Sequence, residues 1–149
     1  MKYWLTKIAS QVKAGQQNRV REIETRGPKW YYEVALALVK EGRLRYVIKE
    51  ESTKKEELIN YKMGLKYVEG APVIENIKVG TEKVYLSVKD LETKVNRPFE
   101  GNKEWAKVEK KAVKTNYKEL WLVTTPAGIL TDKEAVEKKV GGQLVLRVD

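Results

Sequence analysis

Apolar residues recur at helical spacing from the start of the chain. Trp4, Leu5, Ile8 and Val12 fall on one side, which predicts a first helix ending near Gly15. Residues 19–24 read as a short strand. Pro28 suits the first turn of a second helix, where its missing N–H has no partner to lose. Trp30, Tyr31, Val34, Ala35, Leu38 and Val39 supply the apolar face of that helix, and Gly42 is a natural stop. The period then changes from 3.6 to two. Leu44, Tyr46 and Ile48 alternate with Arg43, Arg45 and Lys49, and Ile59, Tyr61, Met63, Leu65 and Tyr67 alternate strictly. The polar residues 50–57 between these strands read as a hairpin loop. Gly70 and Pro72 turn the chain towards a further strand at 73–77.

Residues 83–88 read as a strand, with Val84, Leu86 and Val88 on one face and Tyr85 and Ser87 on the other. The stretch 96–119 breaks the pattern, carrying Pro98, Gly101 and seven basic residues against four acidic ones. Within it Trp105, Val108 and Ala112 stand at i, i+3 and i+7, which places an amphipathic helix there. A short strand at 120–124 comes next. Thr131 and Glu134 form a capping box that opens a helix over 132–139. Gly141 and Gly142 make a turn, and Leu144, Leu146 and Val148 alternate along a final strand. The elements add up to an α+β protein of two small lobes. Residues 1–78 form an N-terminal α-β-α-β-β(-β) lobe. Residues 79–149 form a β-rich C-terminal lobe with a short helix and a charged insertion at about 96–118.

Composition narrows the chemistry. The 149 residues include no Cys and no His. Disulfides, thiolate zinc sites and cysteine nucleophiles are excluded, as are the usual general base and the serine triads that need it. Glu50, Glu51, Glu56 and Glu57 share one charged loop, which reads as a solvated turn rather than a catalytic carboxylate pair. No enzyme, cofactor or metal site is expected. No apolar run approaches the roughly 20 residues that span a bilayer. The 30 Lys+Arg against 21 Asp+Glu leave a net charge of +9, which points to a polyanionic partner. The excess is uneven: residues 1–49 hold eleven basic and four acidic residues, and no acid precedes Glu22. A basic, acid-free first helix matches a mitochondrial targeting helix in composition, but a folded helix with a basic outer face is the preferred reading.

Residues 123–148 read VTTPAGILTDKEAVEKKVGGQLVLRV. This run resembles the C-terminal signature of the small-subunit ribosomal protein S-eight family. There a Ser/Thr-rich loop ending in Gly is followed by two aliphatic residues, a T-D-K-E-A helix start and a G-G turn. The match covers Thr124, Gly128, Ile129, Leu130, Thr131, Asp132, Lys133, Glu134, Ala135, Gly141 and Gly142. Weaker likeness extends to residues 5–8, 38–42, 65–67 and 84–85. The resemblance implies a two-lobed structural protein, without catalysis, that binds the central domain of small-subunit rRNA and supports assembly and translation. It implies small-subunit rRNA and neighbouring small-subunit ribosomal proteins as partners, no membrane and no homo-oligomer.

Carried over, the RNA-binding positions are Thr124, Thr125, Pro126, Ala127, Gly128, Gly141, Gly142 and Gln143. Lys133, Lys138 and Lys139 stand near enough to add phosphate contacts, Tyr85 is placed to stack on a base, and Lys7 belongs to the first-helix motif. Threonine hydroxyls both donate and accept, which suits 2′-OH groups, phosphates and base edges. The same two threonines also suit an ordinary strand end. The departures are Pro126 and Ala127 in place of more polar loop residues, Gln143 where Glu is usual, and Ala9-Ser10 in place of Arg-Asn. With the insertion, they read as an organellar, mitochondrial version on the ribosome, with a bacterial cytoplasm or a plastid as the alternatives. An alternative function is a protein-interaction module acting through residues 97–118.

Overall fold

The computed structural model describes residues 1–50, 58–80, 84–96, 101–112 and 118–149. Contacts divide the chain into two units, Met1–Val79 and Gly80–Asp149.

The first unit runs α1 (Lys2–Gln17), β1 (Glu22–Gly27), α2 (Tyr31–Lys40), β2 (Leu44–Glu50), β3 (Ile59–Leu65), β4 (Tyr67–Val68), β5 (Ala71–Pro72) and β6 (Ile77–Val79). Strands β1, β3 and β2 lie in that order in an antiparallel sheet. Leu5, Ile8 and Val12 of α1 and Val34 and Leu38 of α2 are buried with Tyr61, Met63 and Leu65 of β3. The hydroxyl of Tyr31 donates to the Trp4 carbonyl, and that of Tyr61 donates to Pro28 at 2.8 Å. Each phenol thus finds a backbone acceptor for a hydroxyl that burial would otherwise leave unpaired. Desolvation, the neighbouring Tyr3 adding to it, pushes the Tyr31 hydroxyl well above the ordinary tyrosine pKa, so it stays a donor.

Several boundaries differ from expectation. Helix α1 continues two residues past Gly15, and the strand expected at 19–24 starts only at Glu22. Helix α2 starts at Tyr31 because Pro28 and Lys29 accept the N–H groups of Tyr31 and Tyr32 in a turn. The alternation expected in β2 fails after a bulge between Leu44 and Tyr46, and Ile48 is 49% exposed. An extra residue in a strand moves the side chains beyond it to the other face. Of residues 73–77 only Ile77 joins a strand. Residues 51–57 of the expected loop lie outside the described residues, and Glu50 ends β2.

The second unit runs β7 (Tyr85–Leu86), α3 (Val88–Val95), α4 (Lys103–Ala112), β8 (Leu120–Thr125), β9 (Gly128–Thr131), α5 (Asp132–Glu137) and β10 (Gly142–Val148). Strand β8 lies between β10 and β9, and the start of β10 also pairs with β7, all antiparallel. The fold is α+β as expected; α4 falls where the sequence places an amphipathic helix, and α3 is the helix it did not place. Val88 does not extend β7. Ser87 closes a capping box in which its hydroxyl accepts from Asp90 N–H and the Asp90 carboxylate accepts from Ser87 N–H, and α3 begins there.

Helix α4 lies where the sequence broke its pattern. Its Trp105, Val108 and Ala112 are buried in one cluster with Leu86, Leu91, Trp121, Val123, Leu130, Ala135 and Leu144. The Trp105 and Trp121 rings stack at 6.1 Å. Outside this cluster Lys111 Nζ reaches Asp90 Oδ2 at 2.9 Å, tying α4 to the start of α3. Burial pushes the Asp90 carboxyl up, but the Lys111 and Ser87 hydrogen bonds outweigh it and hold the pKa below 3.8. A depressed folded-state pKa contributes stability above the unfolded value that is lost as pH falls through the folded one. Lys111→Gln is therefore expected to cost up to about 1 kcal/mol at pH 7 and nothing below both pKa values. Urea melts of both proteins between pH 7 and pH 2 check this by whether the curves converge in acid.

Candidate nucleic-acid interface

The C-terminal motif residues come together through strand register. Thr124 of β8 stands opposite Gln143 of β10, and Gln143 stands opposite Tyr85 of β7. Directly opposed residues project to the same face of a sheet. A hydroxyl, an amide and a phenol therefore form a row across three strands, with the Tyr85 ring 60% exposed. These three, with Thr125, Pro126, Val140, Gly141 and Gly142, line an open cleft of about 540 Å³.

The β8–β9 hairpin forms one wall. Gly128 carries φ +106°, a region that an L side chain enters only with strain. Thr125 opposes it, and its hydroxyl donates to the Gly128 carbonyl at 2.9 Å while accepting from Ala127 N–H at 3.1 Å. The Thr125 hydroxyl is thus used to shape the hairpin. No hydrogen bond of the Thr124 hydroxyl occurs among the described residues.

The glycine pair does something other than turn. Neither Gly141 nor Gly142 has a positive φ, and Gly142 already belongs to β10. A Cβ on Gly142 would sit 2.4 Å from the Thr124 carbonyl oxygen, and one on Gly141 would sit 2.6 Å from that of Leu86. The two glycines let β10 enter between β7 and β8 at a spacing that leaves no room for a side chain. The turn itself lies just before them. Lys138 N–H, Lys139 N–H and Val140 N–H donate to Glu134, Val136 and Ala135 carbonyls, and Lys139 adopts φ +53°. This is a Schellman end to α5 with lysine in the left-handed position.

The remaining predicted residues divide. Lys133, Lys138 and Lys139 are exposed on α5 and its exit. Lys7 lies in the first unit, where its Nζ donates to the Arg26 carbonyl at 2.9 Å and stands 5.3 Å from the Trp4 ring. Val140 lines the cleft and was missed, since an aliphatic residue between a helix and a glycine pair gives no sign of its position.

The family model described as Ribosomal protein S8 matches residues 4–148. The chain belongs to the ribosomal protein S8 family. Small ribosomal subunit protein uS8 of Nitrobacter winogradskyi is 28% identical over 145 residues, covering 97% of this chain and 95% of the relative. Its counterpart in Methylocella silvestris is 27% identical over 142 residues, covering 95% and 92%. The S8 family is structural and non-enzymatic, and its place is the ribosome. No described helix is long and apolar enough to cross a membrane.

Proposed function

We propose that this chain binds small-subunit rRNA, in its central domain, as a structural constituent of the small ribosomal subunit, supporting assembly and translation. The observation that carries the reading is the aligned row of Tyr85, Gln143 and Thr124 over a floor of glycines. Such a surface offers a stacking ring, an amide and a hydroxyl to unpaired bases and 2′-OH groups, and lets the backbone approach a sugar. Pro126, Ala127 and Gly128 shape the neighbouring wall, while Lys133, Lys138 and Lys139 supply phosphate contacts that position rather than specify. The interaction-module alternative lacks support, because the apolar face of α4 is spent on its own core. The divergence from the bacterial relatives, which are 28% and 27% identical, is what supports a mitochondrial setting. Detection of the chain in small subunits purified from mitochondria checks that point.

Thr124→Val keeps the shape and removes the hydroxyl. It is expected to weaken binding to the cognate small-subunit rRNA about three- to tenfold, with the melting temperature unchanged. Thr125→Val acts differently: the Ala127 N–H loses its acceptor, so binding falls through a loosened hairpin and thermal stability falls with it. Filter binding beside thermal melts separates the two. Undiminished affinity in the Thr124→Val, Thr125→Val double variant overturns the assignment of this loop.

A further inference from the structure

Helix α4 has a second face that its own core does not use. At 3.6 residues per turn, Trp105, Val108 and Ala112 share an arc of about 60° directed into the core. Lys103, Lys107 and Lys110 share a similar arc on the opposite side, and all three are exposed. The acids of the helix, Glu104 and Glu109, fall on the flanks between the two arcs. Lys111, on the border, is committed to Asp90. Among the described residues no ion pair or hydrogen bond engages the Lys103, Lys107 or Lys110 ammonium groups.

This arrangement works against the helix that carries it. Like charges at i, i+4 and i, i+3 repel, and Lys103 stands in the first turn, where the helix dipole disfavours a cation. Only Lys110, in the last turn, is favoured by the dipole. Asn102 caps the helix, accepting from Glu104 N–H at 2.8 Å, so Lys103 contributes nothing to that end. Three cations over about 10 Å of helix, with no acid among them, suit a row of phosphates.

We propose that the outer face of α4 is a second RNA-backbone contact, in which Lys103, Lys107 and Lys110 hold phosphates of small-subunit rRNA. It rests on the reading that the chain binds that rRNA, and it adds a sequence-independent clamp to the row at Thr124. The helix is then an element glued to the C-terminal core by Trp105 and turned outward to lengthen the RNA footprint.

The absence of Cys in the chain provides a direct test. A single cysteine at Ala106, on the exposed side of α4, is loaded with a tethered Fe(II)–EDTA probe. The full-length protein is then bound to transcribed small-subunit rRNA of the same source, and a separate Ala127→Cys variant probes the hairpin. Expected are localised strand cuts from position 106, distinct from those at 127, and loss of the former when Lys103, Lys107 and Lys110 are all changed to Gln. The triple variant, with its fold retained by circular dichroism, should bind about tenfold more weakly at 0.1 M salt. Its log K against log salt slope should be shallower by two to three, at roughly 0.9 per phosphate. Cuts from 127 but none from 106, or an unchanged salt slope, overturn the α4 contact alone. A wild-type chain that does not bind the rRNA overturns it together with the proposed function.

Discussion

Gly142→Ala is expected to cut rRNA affinity by roughly a hundredfold while the first unit stays folded. The added Cβ would lie 2.4 Å from the Thr124 carbonyl oxygen and 2.8 Å from Thr125 Cγ2. The first of these is backbone in a paired strand and cannot rotate away, so β8 and β10 must part by about an ångström. Overpacking of this kind costs about 1–3 kcal/mol in stability. The larger consequence is for recognition, because Gln143 and Thr124 are opposed across that gap and move apart with it. Losing two or three contacts of about 1 kcal/mol each gives the hundredfold. Isothermal titration with small-subunit rRNA, run beside a thermal melt, reads both effects. Gly101→Ala marks a contrast of another kind, since its Cβ would meet nothing within 4 Å and only its φ of +90° strains the added side chain. Wild-type affinity in Gly142→Ala would show that the close approach is not what the site needs.

Legibility of the chain tracked the range of the forces that shape each part. Residues 123–148 were largely readable because local signals agree there: the Thr131 hydroxyl accepts from Glu134 N–H at 3.2 Å, and β8 and α5 start where the sequence places them, whereas β9 was not read as a strand and α5 stops at Glu137 rather than at 139. The amphipathic helix at Trp105, Val108 and Ala112 was readable from spacing alone. The start of α3 was missed although Ser87 and Asp90 spell a capping box, because the alternation of Val84, Leu86 and Val88 continued through it. The Gly141–Gly142 pair was readable as important and misread as a turn, since a need for close approach depends on strands far away in sequence. Alignment of Tyr85 with Gln143 and Thr124 likewise depends on register between β7, β10 and β8, which no local pattern encodes. The bulge that exposes Ile48 belongs to the same class.

Lys94→Met is expected to be the most destabilising single change in the second unit. Lys94 and Asp132 form an ion pair with side chains only 5% and 3% exposed, and the Lys94 ammonium also stands 5.1 Å from the Trp121 ring. Removing the cation leaves a buried carboxylate at the start of α5, with the Lys133 N–H, 2.8 Å from Oδ1, to offset its charge. Breaking such a pair from one side costs about 3–5 kcal/mol, against about 5–15 kcal/mol for the whole stability of an ordinary domain. The pair itself contributes far less, because two desolvation penalties offset its attraction. Lys94→Met combined with Asp132→Asn should therefore recover most of the loss, and a double-mutant cycle in urea should return a coupling of more than about 3 kcal/mol. Additive losses would mean that Lys94 acts through packing on Trp121 rather than through Asp132. The consequence reaches the cleft, since α5 delivers the chain through Lys139 and Val140 to the glycines that enter beside Thr124. An α5 start released from α3 leaves that entry unanchored, so rRNA affinity should fall with stability in Lys94→Met and return with it in the double variant.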